Sequence, residues 1–385
     1  MKFKLTILLA GFVLVTACKR KGCIDPSADN YDPDAEKDDA TCVYSGLELP
    51  SIYAYTDSLG NSTVSYSGQT ERLDQMDELM AYLRSGNANT LDAQVMNDMF
   101  SNTGGNGDGN FSFTSTKELK DKCFASDTSL IQGYFNDIAI ASVDYAFTAE
   151  SGLAGTANNS ALTETYLLSS GGIEYAEVIE KTMMGAIFMY QATQVYFGDD
   201  KMNADNTMPV DPAAGKHYTE MEHHWDEAFG YFGVPVNFPS TTLGIRYWGV
   251  ACNETGSGNN SRVMNHFKRG RAAIVAMDYL TRNNEIESII ERWEEIAAEN
   301  AYIQVKAAKN AHNDFLTFAD GEYFHALSMA YGYIQSLKYL PVSTRQISFT
   351  QIEDLLDNKI GNNFWNTTWA SLDDAEDQLD NIYNF

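Results

Sequence analysis

Long apolar runs are missing from this chain. The longest, Leu5 to Val15, falls short of the roughly 18 residues that a bilayer-spanning helix needs, and nothing later approaches that length. Basic residues are scarce as well: 26 Lys and Arg stand against 53 Asp and Glu, a formal net charge of −27. Such a surface repels nucleic acid and anionic head groups, which removes both as partners, and it suits cations. The motifs of several enzyme classes are absent. There is no His-Glu-x-x-His zincin string, no Gly-x-Ser-x-Gly elbow, no phosphate-binding Walker loop and no dinucleotide fingerprint. No 34- or 40-residue period points to a solenoid. Catalysis therefore has no positive support.

The N-terminus has its own logic. Lys2 and Lys4 precede the apolar run, and Thr16-Ala17-Cys18 follows it, the layout of an export signal over residues 1–17. The Val-Thr-Ala-Cys ending resembles a bacterial lipobox, which implies lipidation of Cys18 and anchoring at the cell envelope, on the outer membrane. Four further cysteines remain, an even number that favours disulfides in an exported chain. Cys23 and Cys42 bracket one loop and are expected to pair. Cys123 and Cys252 are then either the second pair or two separate buried thiols.

Residues 18–45 have almost nothing apolar to bury, so they form a separate module rather than part of a core. Asp25, Asp29, Asn30, Asp32, Asp34, Asp38 and Asp39 offer hard oxygen ligands at close spacing, the chemistry of calcium, although the spacing is not that of an EF-hand. The stretch from Cys23 to Tyr44 resembles a short cysteine-bracketed acidic repeat of secreted bacteroidete proteins, with Ala40-Thr41 where the repeat has Gly-Ser.

Residues 46–385 read as an all-α domain, one or two bundles of long helices. After an extended arm over 50–67, helical periodicity predicts helices over 70–86, 90–100, 115–145 and 173–197. Further helices are expected over 261–282, 285–312, 321–340, 350–358 and 371–383. Residues 152–172 and 234–258 read as irregular.

The densest chemistry lies in Gly215-Lys-His-Tyr-Thr-Glu-Met-Glu-His-His-Trp-Asp-Glu227, with three of the six histidines. A helix running through it would pair His217 with Glu220, Glu220 with His223, and His224 with Glu227. His217, Glu220, His223, His224 and Glu227 are accordingly candidate metal ligands. Glu322 and His325 form a possible second pair, to which Glu174, Glu177 or Glu180 could add a carboxylate. The plain alternative is a helix whose histidines hydrogen-bond neighbouring acids, with Trp225 and Phe229 as core anchors.

Gly215-x-His217-x-x-Glu220 resembles the Gly-x-His-x-x-Glu motif of imelysin-like proteins. That resemblance implies an exported all-α fold and a site for iron or another divalent transition metal at His217 and Glu220. Tyr66-Ser-Gly-Gln-Thr-Glu-Arg-Leu73 and Glu222-His-His-Trp-Asp-Glu-Ala-Phe-Gly-Tyr-Phe-Gly233 resemble strings of a group of bacteroidete lipoproteins known only as a domain of unknown function, over roughly residues 50–385. The expectation is a membrane-anchored lipoprotein that handles a metal ion. The alternative is an accessory lipoprotein that binds a peptide, a glycan or an as yet unknown protein partner.

Overall fold

The computed structural model describes residues 20–23, 28, 30–35, 37–38, 46–255, 258–312 and 320–385. The export signal, Cys18, Cys42, Asp25, Asp29 and Asp39 lie outside them. The chain divides into two units, Met1–Gly46 and Leu47–Phe385. In the first, strand β1 (Lys21–Gly22) pairs in parallel with β2 (Lys37–Asp38). Asp32 and Asp34 both reach Arg20, at 3.0 and 3.1 Å, and Asn30 is exposed.

The second unit is helical. An arm over 50–66 leads into α1 (Ser67–Arg84) and α2 (Ala93–Phe100). Helix α3 (Thr128–Ser142) is followed by a hairpin of β3 (Gly155–Asn158) and β4 (Thr165–Leu168). Helix α4 (Tyr175–Met183) continues into two π-helical stretches, Met184–Met189 and Gln191–Tyr196. Then come the short α5 (Asp199–Met202), α6 (Glu220–Phe232), α7 (Trp248–Glu254), α8 (Asn259–Val275) and α9 (Tyr279–Ala311). Helices α10 (Gly321–Ser336), α11 (Phe349–Glu353) and α12 (Trp369–Tyr383) complete the unit. The long α9 packs along α8, α10 and α12, while α10 also lies against α4. Trp225, Trp248, Trp293, Phe188 and Phe229 sit fully buried between these helices. None of the described helices is long and apolar enough to cross a membrane.

The helical class follows from the periodicity, but several boundaries move. Helix α3 begins at Thr128 rather than near 115, because residues 115–127 spend their hydrogen bonds on turns and on α1. The stretch 152–172 contains the β3–β4 hairpin, and 234–258 contains α7. The helix expected over 261–282 breaks at Met277, whose φ is 57°, and Asp278 caps a new one.

The cysteines need a correction. Cys123 and Cys252 are not paired; each is a buried free thiol. The Cys123 thiol lies 3.5 Å from the Phe124 carbonyl and that of Cys252 lies 3.2 Å from Asn260 Oδ1. Burial alone accounts for their place in the sequence, since free Cys behaves as a small apolar residue.

Candidate functional site

The histidine-rich segment does not fold as one helix. Thr219 caps α6 with a reciprocal bond from Glu222, so the helix starts at Glu220. Residues 216–218 run back against 210–211, with Val210 N–H to Tyr218 O at 2.9 Å and Asp211 N–H to Lys216 O at 3.1 Å. Gly215 takes φ 77° at the turn between them. His217 therefore lies before the helix, where its Nδ1 is 3.2 Å from Asp57. Glu220 is exposed on the first turn.

The rest of the segment binds the protein to itself. Asp226 is fully buried and accepts bonds from the Tyr53 hydroxyl at 2.7 Å, Arg271 Nε at 3.0 Å and the Ser65 amide at 3.0 Å. Arg271 also donates to Glu222 at 2.7 Å and to Thr63 at 3.1 Å. Burial pushes the Asp226 carboxyl up to about 6, against the pull of Arg271. Tyr53 stacks on Phe229 at 3.8 Å, so α6 and α8 together clasp the arm. His223 Nδ1 lies 2.9 Å from Ser65 O and its ring stacks on Tyr218; burial lowers its pKa. His224 and His223 share Glu227, at 3.3 and 3.8 Å. Burial opposes charge on Glu227, but the bond from His224 and the charge of His223 hold its pKa down.

Among the described residues, one group of three His, Cys, Asp or Glu brings ligand atoms within 4.8 Å of one another: Glu174, Glu177 and His325. Glu174 occupies the N-cap position of α4 and Glu177 its first turn, where the positive end of the helix favours carboxylates. His325 comes from α10, which approaches closely because Gly332 leaves no Cβ to meet Lys181, 2.7 Å away. The Glu174 amide donates to Ser328 Oγ at 2.9 Å, which fixes the height of α4 against α10. His325 Nδ1 lies 2.7 Å from Glu174 Oε2, and Tyr166 of β4 stacks on the imidazole at 4.6 Å.

Glu177 is also flanked by cations, Lys181 at 2.9 Å and Arg84 at 2.9 Å. Both cations also pair with Glu180. Burial raises Glu174. Burial works against a charged His325 too, but the hydrogen bond and charge of Glu174, then the charge of Glu177, lift its pKa overall. Glu177 is lowered, since Lys181 and Arg84 outweigh its burial. A cavity of about 270 Å³ opens beside the triad, walled by Arg84, Glu164, Tyr166, Glu174, Glu177 and His325 among others. A second, of about 340 Å³, lies on the other side of Arg84 and is lined by Glu180, Lys181, Arg246, Tyr247 and Glu254.

Of the sequence candidates, His325 and Glu174 come together with Glu177. Glu322 does not join them: it is exposed and accepts a bond from Ser160 at 2.9 Å. Arg84, Lys181 and Tyr166 were missed. The i,i+4 spacing of Glu177 and Lys181 was the one available signal, since Arg84 and Tyr166 arrive from distant segments.

No curated protein and no solved structure matches the chain. A family model described as a domain of unknown function (DUF4856) matches residues 50–385. That span takes in α1 to α12, with the Glu174, Glu177 and His325 cluster inside it, and the chain belongs to this family.

Proposed function

We propose that the protein is an exported lipoprotein, held to the outer membrane through Cys18, that binds a divalent transition metal ion without catalysing a reaction. The anchor draws on the lipobox-like Thr16-Ala17-Cys18. The observation that carries the metal reading is the convergence of Glu174, Glu177 and His325 at the wall of a cavity. One imidazole and two carboxylates suit iron, manganese or zinc, and small side-chain rotations would bring atoms within 4.8 Å of one another onto a single ion. Iron is the first candidate by the imelysin-like resemblance of the Gly215-x-His217-x-x-Glu220 string, although the proposed ligands are not the His217 and Glu220 of that motif. The acidic stretch 18–45 is read as a calcium-holding spacer stapled by Cys23 and Cys42, which chelation should expose to protease.

Metal analysis of the purified protein tests the central claim. Wild type should carry a transition metal that the His325→Ala and Glu174→Gln variants lose and a His217→Ala/Glu220→Ala variant keeps. A metal-free wild type, or equal content in all of them, defeats it. A Cys18→Ser variant should leave the membrane fraction; if it stays there, the anchor is wrong.

A second reading, an accessory lipoprotein that binds a peptide, glycan or protein, draws on α6. Its Glu222 and Asp226 are consumed in clasping the arm, so the histidine helix has a structural occupation.

A further inference from the structure

We propose that the cavity beside Glu174, Glu177 and His325 takes a small oxyanion, a carboxylate or a phosphate, held between the bound metal ion and the Arg84 guanidinium. The inference rests on the metal reading above and extends it by assigning the second ligand and the coupling between the two.

Arg84 has donors to spare. Its bonds to Glu177 and Glu180 both leave from Nη2, and among the described residues Nε and Nη1 meet no protein acceptor. The side chain is 48% exposed and stands in the walls of both cavities. Guanidinium groups favour oxyanions because their donors are planar and permanently charged. Metal binding also loosens the existing pairing. Glu177 offers one oxygen to Arg84 and the other to Lys181, so ligation of an ion draws that carboxylate away from one of its cations.

The charges point the same way. Glu174, Glu177 and Glu180 face two fixed cations, Arg84 and Lys181, which leaves one negative charge among these five groups when His325 is neutral; Glu254 stands outside them, on the wall of the second cavity. A neutral imidazole is what a metal ligand must be. A divalent ion then turns the cluster from one net negative charge to one net positive charge. Glu174, Glu177 and Lys181 are all buried, and an uncompensated charge there is costly. An oxyanion removes that excess positive charge. Three protein ligands also leave a divalent ion at least one open coordination position. The cavity of about 270 Å³ has room for a small anion at that position. Glu164, the remaining acid on its wall, is exposed and stays in water.

Because binding linkage is reciprocal, the anion must tighten the metal as the metal tightens the anion. The full chain, lacking only its lipid, is titrated with Co(II), whose visible absorption reports its ligands, in the absence and presence of inorganic phosphate or malonate. Either anion should tighten Co(II) roughly tenfold and change the spectrum, and neither should bind measurably to the metal-free protein. Phosphate and malonate arms show which oxyanion is preferred, and an effect of either supports the proposal. Arg84→Gln should still bind Co(II) but lose the anion effect, and Arg84→Lys should regain part of it; a fold check by circular dichroism accompanies both. If Co(II) binds and neither anion changes its affinity or spectrum, the inference is overturned while the metal reading stands. An anion effect that survives in Arg84→Gln also overturns it. Failure of Co(II) to bind at all removes the metal reading itself, and this inference with it.

Discussion

Arg271 has no exposed atoms to speak of, and its guanidinium is divided among Asp226, Glu222 and Thr63. Replacing one member of such a cluster strands the others, which costs about 3–5 kcal/mol in comparable buried pairs. Arg271→Met should therefore lower the unfolding free energy read by denaturant titration by that order and make residues 50–66 sensitive to protease. The pH dependence has a definite sign. Asp226 already titrates at about 6, above its ordinary value, because burial disfavours its charge. A carboxyl raised in the folded state contributes stability at low pH that is lost as pH rises through its folded pKa. Without Arg271 the pKa rises further, so the deficit of the variant should shrink between about pH 7 and pH 5. The sequence made Asp226 visible only as one acid among four in a short run. Its partners Tyr53 and Arg271 lie 173 and 45 residues away, and no spacing rule reaches that far.

At the scale of the element, the informative positions are the ones where a helix starts. Thr219 with Glu222 is a capping box readable in the primary structure, and it excludes His217 from α6. Helical periodicity alone cannot find such a start, because His217 and Tyr218 would suit a helix as well as a turn. The same lesson applies at Asp278. Its carboxylate accepts from the Thr281 amide at 3.1 Å and the Thr281 hydroxyl at 2.6 Å, opening α9 where periodicity ran on from α8. Those bonds lower its pKa below the ordinary 3.8. A depressed carboxyl contributes stability above its unfolded pKa and loses it as pH falls through the folded value. Asp278→Ala should cost about 1 kcal/mol at neutral pH, and the gap to wild type should close below about pH 3.8, read by thermal unfolding across pH. The metal candidate was half legible for a related reason. His325 and Glu174 were identified by residue type. Glu177 was named only as an alternative to Glu174 and Glu180, and the expected partner Glu322 drops out, because it sits on the first turn of α10 and bonds to the loop between β3 and β4.

For the molecule as a whole, the all-α architecture was written in apolar periodicity. The β3–β4 hairpin was not, since Gly- and Asn-rich turns masked two four-residue strands. The cysteines tell a similar story: parity suggested a second bridge, and burial proved the better guide. Burial pushes the Cys123 thiol up to about 12 and raises that of Cys252 as well, so neither forms a reactive thiolate near neutrality. The native protein, isolated without reductant, should react sluggishly with a thiol reagent and reveal two thiols per chain once unfolded. A count of none would restore the bridge between them, and a count of four would remove the staple proposed for Cys23 and Cys42.

The clasp of the arm carries a mechanical consequence. Residues 50–66 are the first part of the helical unit that a pull from the N-terminus would reach. Tyr53, Thr63 and Ser65 are held side-on by Asp226 and Arg271, with the Tyr53 ring pressed flat on Phe229. Tension along the arm would load these bonds together in shear, before any helix is drawn out. A pull on the N-terminal side of the arm would thus be met first at the clasp.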